Sequence, residues 1–277
     1  MKAIEVNNIV KYYGNTLALN NVSFSVEKGE IFGFIGQNGA GKSTTIRILL
    51  NMIFSNAGEA KIFGKDCALD SKEIKKIIGY VPSEVEYYKG MSAIDVFKYT
   101  LMFNGNSSFK EIESLCDYLE LDYKKPIAEL SLGNRKKVSL IQALIRKPEI
   151  IILDEPTSGL DPLIQEKLFK LLLKEKERGT TIFLSSHNLD DVEKYCDRVA
   201  IIKSGNIMDI KSIKELNEEA FYKIKYTEDE KEVSFVYKED INKLIKDLSK
   251  KKIENLEIKK ESLHEKFIKY YGGDDYE

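Results

Sequence analysis

Gly36-Gln-Asn-Gly-Ala-Gly-Lys-Ser43 is the stretch of this sequence best equipped for chemistry. It fits the pattern G-x-x-x-x-G-K-[ST], in which glycines let the backbone wrap phosphate oxygens with its N–H groups turned inward. The spacing assigns Lys42 to the β- and γ-phosphates of a nucleotide and the Ser43 hydroxyl to Mg2+. A second stretch, Ile150-Ile-Ile-Leu-Asp-Glu155, reads as a buried strand that delivers two carboxylates at its C-terminal end. Asp154 is placed to hold Mg2+, directly or through water, and Glu155 to polarise an attacking water. His187, one of two histidines, follows a further apolar run and sits where it could contact a γ-phosphate.

These groups need strands that end where helices begin. Ile31–Ile35 is apolar and leads into the glycine-rich loop, and Ile46, Leu49, Leu50 and Ile53 then recur at helical spacing. The helix that follows adds the positive end of its dipole to the loop. Residues 77–81 read as a short strand stopped by Pro82. Residues 92–147 read as mostly helical, opened by Ser92-Ala-Ile-Asp95 and Ser108-Phe-Lys-Glu111, both of capping-box type. Ser131 and Gly133 open a helix with Val138, Ile141 and Leu144 on its apolar stripe, and such a helix N-terminus is an anion site. Asp161-Pro162 starts the next helix, Gly179 ends it, and residues 181–184 form another buried strand. Alternating strands and helices imply a parallel sheet with helices on its faces. Beyond Lys211 the chain turns rich in lysine and glutamate. Tyr222, Ile224 and Tyr226 form one alternating strand and Val233, Phe235 and Tyr237 another. Ile241, Leu244, Ile245 and Leu248 form a helical stripe, and Ser262-Leu-His-Glu265 opens a last helix carrying Leu263, Phe267 and Tyr270.

Bulk composition narrows the function. Hydrophobic residues make up 43% and charged residues 32% of 277, enough for a sizeable core. A formal net charge of −2 gives no support to a general nucleic-acid binder. Cys67, Cys116 and Cys196 lie far apart without a CxxC spacing, so packed, reduced thiols are expected rather than disulfides or zinc ligands. The first ten residues lack the apolar core of a signal peptide, and the longest apolar runs are far too short to cross a bilayer. A cytosolic protein is expected, with any membrane role supplied by a partner.

The order of these motifs resembles that of ATP-binding cassette (ABC) ATPases, from residue 4 to about residue 209. The resemblance implies that Gly36, Gln37, Asn38, Gly39, Ala40, Gly41, Lys42, Ser43 and Thr44 hold ATP. It places Tyr13 on the adenine, with Tyr12 as the alternative. Leu130-Ser-Leu-Gly-Asn134 is similar to the family signature LSGGQ. Ser131, Gly133 and Asn134 would therefore bind the γ-phosphate held by an opposite subunit. Ser158, Gly159, Leu160 and Asp161 match the family's dimer-contact loop, and His187 its switch histidine. The sequence departs from the pattern at Ser83, where glutamine is usual. Serine can approach Mg2+ only through a water, and Ser83 and Glu84, with Tyr87 and Tyr88 beyond them, are the expected coupling residues. Ordinary loop packing is the other reading of the two tyrosines. Leu132 replaces a signature glycine, so the backbone there must avoid positive φ.

The fold implied is α/β: a P-loop core with a parallel-sheet centre, an antiparallel N-terminal β part and a helical subdomain at about residues 85–147. A small C-terminal α+β appendage follows, with domain limits at 1–215 and 216–277. The LSLG-type signature and the stretch 262–267 are similar to bacterial drug- and peptide-exporter cassettes, including the bacitracin-resistance type. The implied function is an ATP-hydrolysing transporter subunit using ATP and Mg2+. It would pair with a second cassette, identical or not, and drive transmembrane permease subunits on a separate chain, without nucleic acid, at the cytoplasmic face of the plasma membrane. The competing readings are a soluble ABC ATPase acting as a regulator and a nucleotide sensor. The single cassette and the lack of long coiled coils count against the first, and Glu155 against the second.

Overall fold

A computed structural model describes residues 1–88, 90–102, 108–218, 221–261 and 265–267. In chain order the strands are β1 (Lys2–Tyr13), β2 (Thr16–Glu27), β3 (Ile31–Ile35), β4 (Ala57–Ile62), β5 (Lys65–Asp66), β6 (Ile78–Val81), β7 (Ile150–Asp154), β8 (Thr181–Ser186), β9 (Arg198–Lys203), β10 (Asn206–Ser212), β11 (Tyr222–Glu228), β12 (Lys231–Tyr237) and β13 (Ile253–Lys260). The helices are α1 (Lys42–Leu49), α2 (Ser71–Ile77), α3 (Ala93–Met102), α4 (Phe109–Tyr118), α5 (Leu132–Leu144), α6 (Pro162–Glu177), α7 (Leu189–Tyr195), α8 (Ile213–Glu218) and α9 (Ile241–Leu248). The chain divides into two compact units, Met1–Ile210 and Lys211–Glu277.

The first unit holds two sheets. An antiparallel sheet runs β2-β1-β4-β5, and a six-stranded sheet runs β10-β9-β3-β8-β7-β6. Within the second, β6, β7, β8, β3 and β9 pair in parallel. Every residue of β3, β7 and β8 is buried, as expected of strands covered on both faces, and their near-continuous apolar runs are the sequence signature of that burial. Phe24 of β2 seals the two sheets together. Its ring lies 5.8 Å from Phe32, 5.1 Å from Phe34 and 5.9 Å from Phe183, so one aromatic cluster spans both layers. The antiparallel N-terminal part and the parallel centre are thus as the sequence implied.

The helical stretch follows its local signals. Ser92 and Asp95 exchange side-chain and backbone hydrogen bonds, and Ser108 with Glu111 forms a full capping box. Asp161 caps α6 with Pro162 in its first turn, and Gly179 follows at φ 90°. Leu132 is the first residue of α5, with ordinary helical backbone. Two details differ from expectation. The first helix stops at Leu49, because Asn51 takes φ 50°, and Ile53 packs on the core from beyond the helix. In the second unit, β11 pairs with a further strand besides β12, namely β13. Its apolar residues Ile253, Leu256 and Ile258 do not alternate, since a register shift and Asn255 at φ 54° interrupt the period of two. Ser262, Leu263, His264 and Tyr270, expected on the final helix, lie outside the described residues.

The second unit has its own core, in which Ile224 and Tyr226 of β11 meet Leu244 and Leu248 of α9. Leu244→Ala should remove about 2–5 kcal/mol from so small a core. Limited proteolysis should then show cleavage confined to residues 211–277, with nucleotide binding by the first unit unchanged.

Candidate active site

The order β3-β8-β7 sets the site. The three strands are parallel, with Ile35 opposite Ser186 and Asp154 opposite Ser185. The glycine-rich loop after β3, the acids at the end of β7 and His187 after β8 therefore emerge along one edge of the sheet, at the carboxyl ends where α/β folds take ligands.

The loop closes on itself before α1 begins. The Ala40 N–H donates to the Gln37 carbonyl at 3.1 Å, and Gly41 takes φ 113° immediately before the helix. A side chain there would be strained, and its Cβ would stand 2.6 Å from Leu19 Cδ2. No side chain caps α1, so its first N–H groups, which have no partner within the helix, face the loop. Gln37, Asn38 and Gly39 are exposed, Ser43 and Thr44 half-buried, and Gly36, Ala40 and Gly41 buried. Lys42 is 6% exposed; its Nζ donates to the Gly36 carbonyl at 2.6 Å and the Gln37 carbonyl at 3.3 Å.

The same ammonium lies 3.1 Å from Glu155 Oε1, and the other carboxylate oxygen, Oε2, lies 2.7 Å from His187 Nδ1. Glu155 takes φ 48°, a left-handed backbone that costs a non-glycine residue on the order of 1 kcal/mol. That turn carries its side chain out of the line of β7 to the lysine and the histidine. Asp154 is buried, with Oδ1 accepting a 2.6 Å hydrogen bond from Ser185 Oγ, which in turn accepts from the Glu155 N–H at 3.1 Å. The Ser43 hydroxyl and the Asp154 carboxylate are hard oxygen donors that suit Mg2+. Among the described residues no group of three His, Cys, Asp or Glu gathers to make an all-protein cage.

The other expected residues form separate groups. Ser131 Oγ accepts from the Asn134 N–H at 3.3 Å and caps α5. Gly133 lies on the neighbouring loop so closely that a Cβ would stand 2.6 Å from the Gly159 carbonyl. Leu160 is buried, while Asp161 Oδ1 accepts from the Ile164 N–H at 3.0 Å. The two stretches expected to meet a second subunit, 131–134 and 158–161, are thus side by side. Tyr13 and Tyr12 are 44% and 45% exposed, so exposure does not choose between them; the Lys11 ammonium sits 5.4 Å from the Tyr13 ring. Ser83 is half-buried and Glu84 exposed. Tyr87 is half-buried and donates to Gln142 Oε1 at 3.2 Å, whereas Tyr88 is exposed. Tyr87 lines a cleft of about 610 Å³ with Met52, Tyr80, Tyr99 and Arg146.

Sequence reasoning passed over two residues. Ser185 holds both acids in place, and only the pairing of β7 with β8 reveals it. Lys136 is 1% exposed, and burial pushes its ammonium down to about 8 against the pull of Asp154 and Glu155. It reads in sequence as one of three consecutive basic residues on a helix, Arg135, Lys136 and Lys137, a pattern that normally faces water.

The family model for ABC transporters matches residues 19–158. An ABC transporter ATP-binding protein of Methanocaldococcus jannaschii is 40% identical over 219 residues, which cover 77% of this chain and 79% of that one. The bacitracin transport ATP-binding protein BcrA of Bacillus licheniformis is 34% identical over 209 residues, covering 74% and 68%. Among solved structures, a dimeric ATP-binding cassette in a post-hydrolysis state with ADP and phosphate superposes with a TM-score of 0.69 at 27% identity, covering 76% of this chain and 98% of that one.

Ser185→Ala removes the hydroxyl that orients Asp154 and receives the Glu155 N–H. Losses of 10- to 100-fold are usual for such supporting groups. Turnover of MgATP is expected to fall by that range with the melting temperature little changed, as steady-state phosphate release and a thermal melt will read.

Proposed function

The chain belongs to the ABC transporter family of ATP-binding proteins, and from that premise we propose that it hydrolyses ATP to power an exporter of drugs or peptides. It would act as one of two paired cassettes on membrane subunits carried by separate chains. The convergence of Lys42, Glu155 and His187 at the mouth of the phosphate loop carries this reading.

ATP binding would exchange partners at Lys42. Its ammonium leaves the Gly36 and Gln37 carbonyls and Glu155 for the β- and γ-phosphate oxygens, while the loop N–H groups take the rest of the phosphate chain. Glu155, released from the lysine but still held by His187, then orients the attacking water and draws on its proton. Ser43 and Asp154 would hold Mg2+, which offsets phosphate charge when bound. Tyr13 would stack on the adenine. Ser131, Gly133 and Asn134 of an opposite cassette would close the site on the γ-phosphate, so that ATP joins the pair and its hydrolysis to ADP and phosphate releases it.

The similarity to a bacitracin transport ATP-binding protein supports a transport role and favours export. Among the described residues no helix is long and apolar enough to cross a membrane. The cleft lined by Met52, Tyr87 and Tyr99, with Lys72, Lys75 and Arg146 at its walls, is a fitting seat for a cytoplasmic segment of a membrane subunit. Tyr88 and Glu84 would lie on its approach.

Lys42→Ala should abolish nucleotide binding or hydrolysis in a folded protein; full ATPase activity would refute the assignment. Glu155→Gln keeps the shape but not the charge and should accumulate a MgATP-dependent pair in sedimentation, whereas an unchanged monomer, free and with its membrane partner, counts against pairing. Native protein found wholly in the soluble fraction with ribosomes would favour a soluble regulator instead.

Ser83→Gln should be tolerated or raise ATP hydrolysis, because it restores reach toward the metal. Glu84→Ala should lower substrate-stimulated more than basal hydrolysis. Loss of basal hydrolysis and Mg2+ binding in Glu84→Ala would make Glu84 a metal-site residue.

A further inference from the structure

Lys136 is a buried cation that the reaction described above does not use. It lies in the second turn of α5, whose first residues follow the Ser131 cap. Its Nζ donates to the Pro82 carbonyl at 2.7 Å, to the Ser83 carbonyl at 3.0 Å and, more loosely, to the Asp154 carbonyl at 3.4 Å. An ammonium has three N–H groups, and these three acceptors use all of them. The acceptors come from two places far apart in sequence: the loop after β6, where serine and glutamate stand, and the end of β7, where the metal-binding and water-orienting acids begin.

We infer that Lys136 is a positioning residue that ties the N-terminal end of α5 to the Pro82–Ser83 main chain and to the end of β7. The inference rests on the reading of 131–134 as the contact to the opposite cassette's γ-phosphate. A helix end that moves toward a γ-phosphate carries its second turn with it. Charge-assisted hydrogen bonds to main-chain carbonyls are roughly twice as strong as neutral ones, and Lys136 is 1% exposed. Motion of α5 is therefore passed to Ser83 and Glu84, and the position of Asp154 and Glu155 is set by whether α5 is engaged. No other described residue is shown to donate to carbonyls of both the 82–83 loop and β7.

The test compares Lys136→Met, which keeps an apolar stem one atom shorter and removes every donor, with Lys136→Gln, which has the same reach as methionine and keeps two N–H donors without the charge. Both are made in the full chain, and pairing is followed with each also placed in the Glu155→Gln background. Binding of MgATP to a single chain is expected to stay within about twofold of the parent, while kcat of Lys136→Met falls tenfold or more and its ATP-driven pairing is lost. Lys136→Gln should recover part of both. Hydrogen exchange supplies a second reading: pairing should slow exchange at residues 83–86 in the parent and not in Lys136→Met. Parental kcat and pairing in both variants overturns the inference. So does an equal loss of nucleotide binding and turnover in both, which would make Lys136 only structural. If Lys136→Met does not fold, parental kcat or unrelieved loss in Lys136→Gln decides against it by the same criteria. A parent that binds MgATP but never pairs removes the underlying reading, and the inference with it.

Discussion

Three parallel strands, β3, β8 and β7, lie side by side, and their pairing brings Lys42, Glu155 and His187 into contact at the strand ends, with Asp154 next to Glu155 on β7. Lys42 lies more than a hundred positions before the other three in sequence, and His187 lies on another strand's end, so no local preference can gather them. The apolar burial of the three strands does so, and Phe24 of the antiparallel sheet backs it by packing on Phe32, Phe34 and Phe183 of the parallel one. A fully buried parallel sheet leaves its polar groups no outlet along its length. They surface at the strand ends, where Ser185 spans both acids and Glu155 accepts a strained backbone to face the lysine.

From this arrangement follows a division of labour. The loop and α1 present N–H groups and one ammonium to bind phosphate. On the proposed function, the end of β7 would supply charge for the metal and for the water. Both are rigid. The stretches 131–134 and 158–161 stand apart as a second, outward-facing group, joined to each other by the close approach of Gly133 to the Gly159 carbonyl. A buried lysine then links the helix behind that group to the loop and the strand on the catalytic side. On the proposed function, this separation would divide holding the nucleotide from completing its site, as a motor driven by nucleotide-dependent pairing would require.

Much of this was legible in the sequence, and the boundary is physical. The phosphate loop is contiguous, so glycine, lysine and serine spacing reveals it. Helix caps at Ser108, Ser131 and Asp161 are local hydrogen-bond patterns and appear where their residues predict. Ser185 was opaque because its role depends on the register Asp154 to Ser185, which no periodicity encodes. Lys136 was opaque because a lysine among basic neighbours reads as solvated, and only the fold turns it inward against carbonyls. β13 was missed because its bulge at Asn255 destroys the alternation by which strands are recognised. Tyr12 and Tyr13 are nearly equal in exposure; the Lys11 ammonium sits beside the Tyr13 ring, while the Tyr12 N–H donates to Asn56 Oδ1.

The central claim is that one chain holds only half of each working site. Two inactive chains test it directly. Lys42→Ala disables the phosphate loop and leaves the 131–134 stretch sound. Ser131→Asp keeps a good helix cap and sets a carboxylate against the γ-phosphate, leaving the phosphate loop sound. A mixed pair contains one site built from the sound half of each. The measurement is ATP hydrolysis by an equimolar mixture of the two variants, assembled with the membrane partner if pairing needs it. The account predicts activity that neither variant has alone; a mixture as inactive as its components, beside an active parent, or full activity in Ser131→Asp by itself, contradicts it.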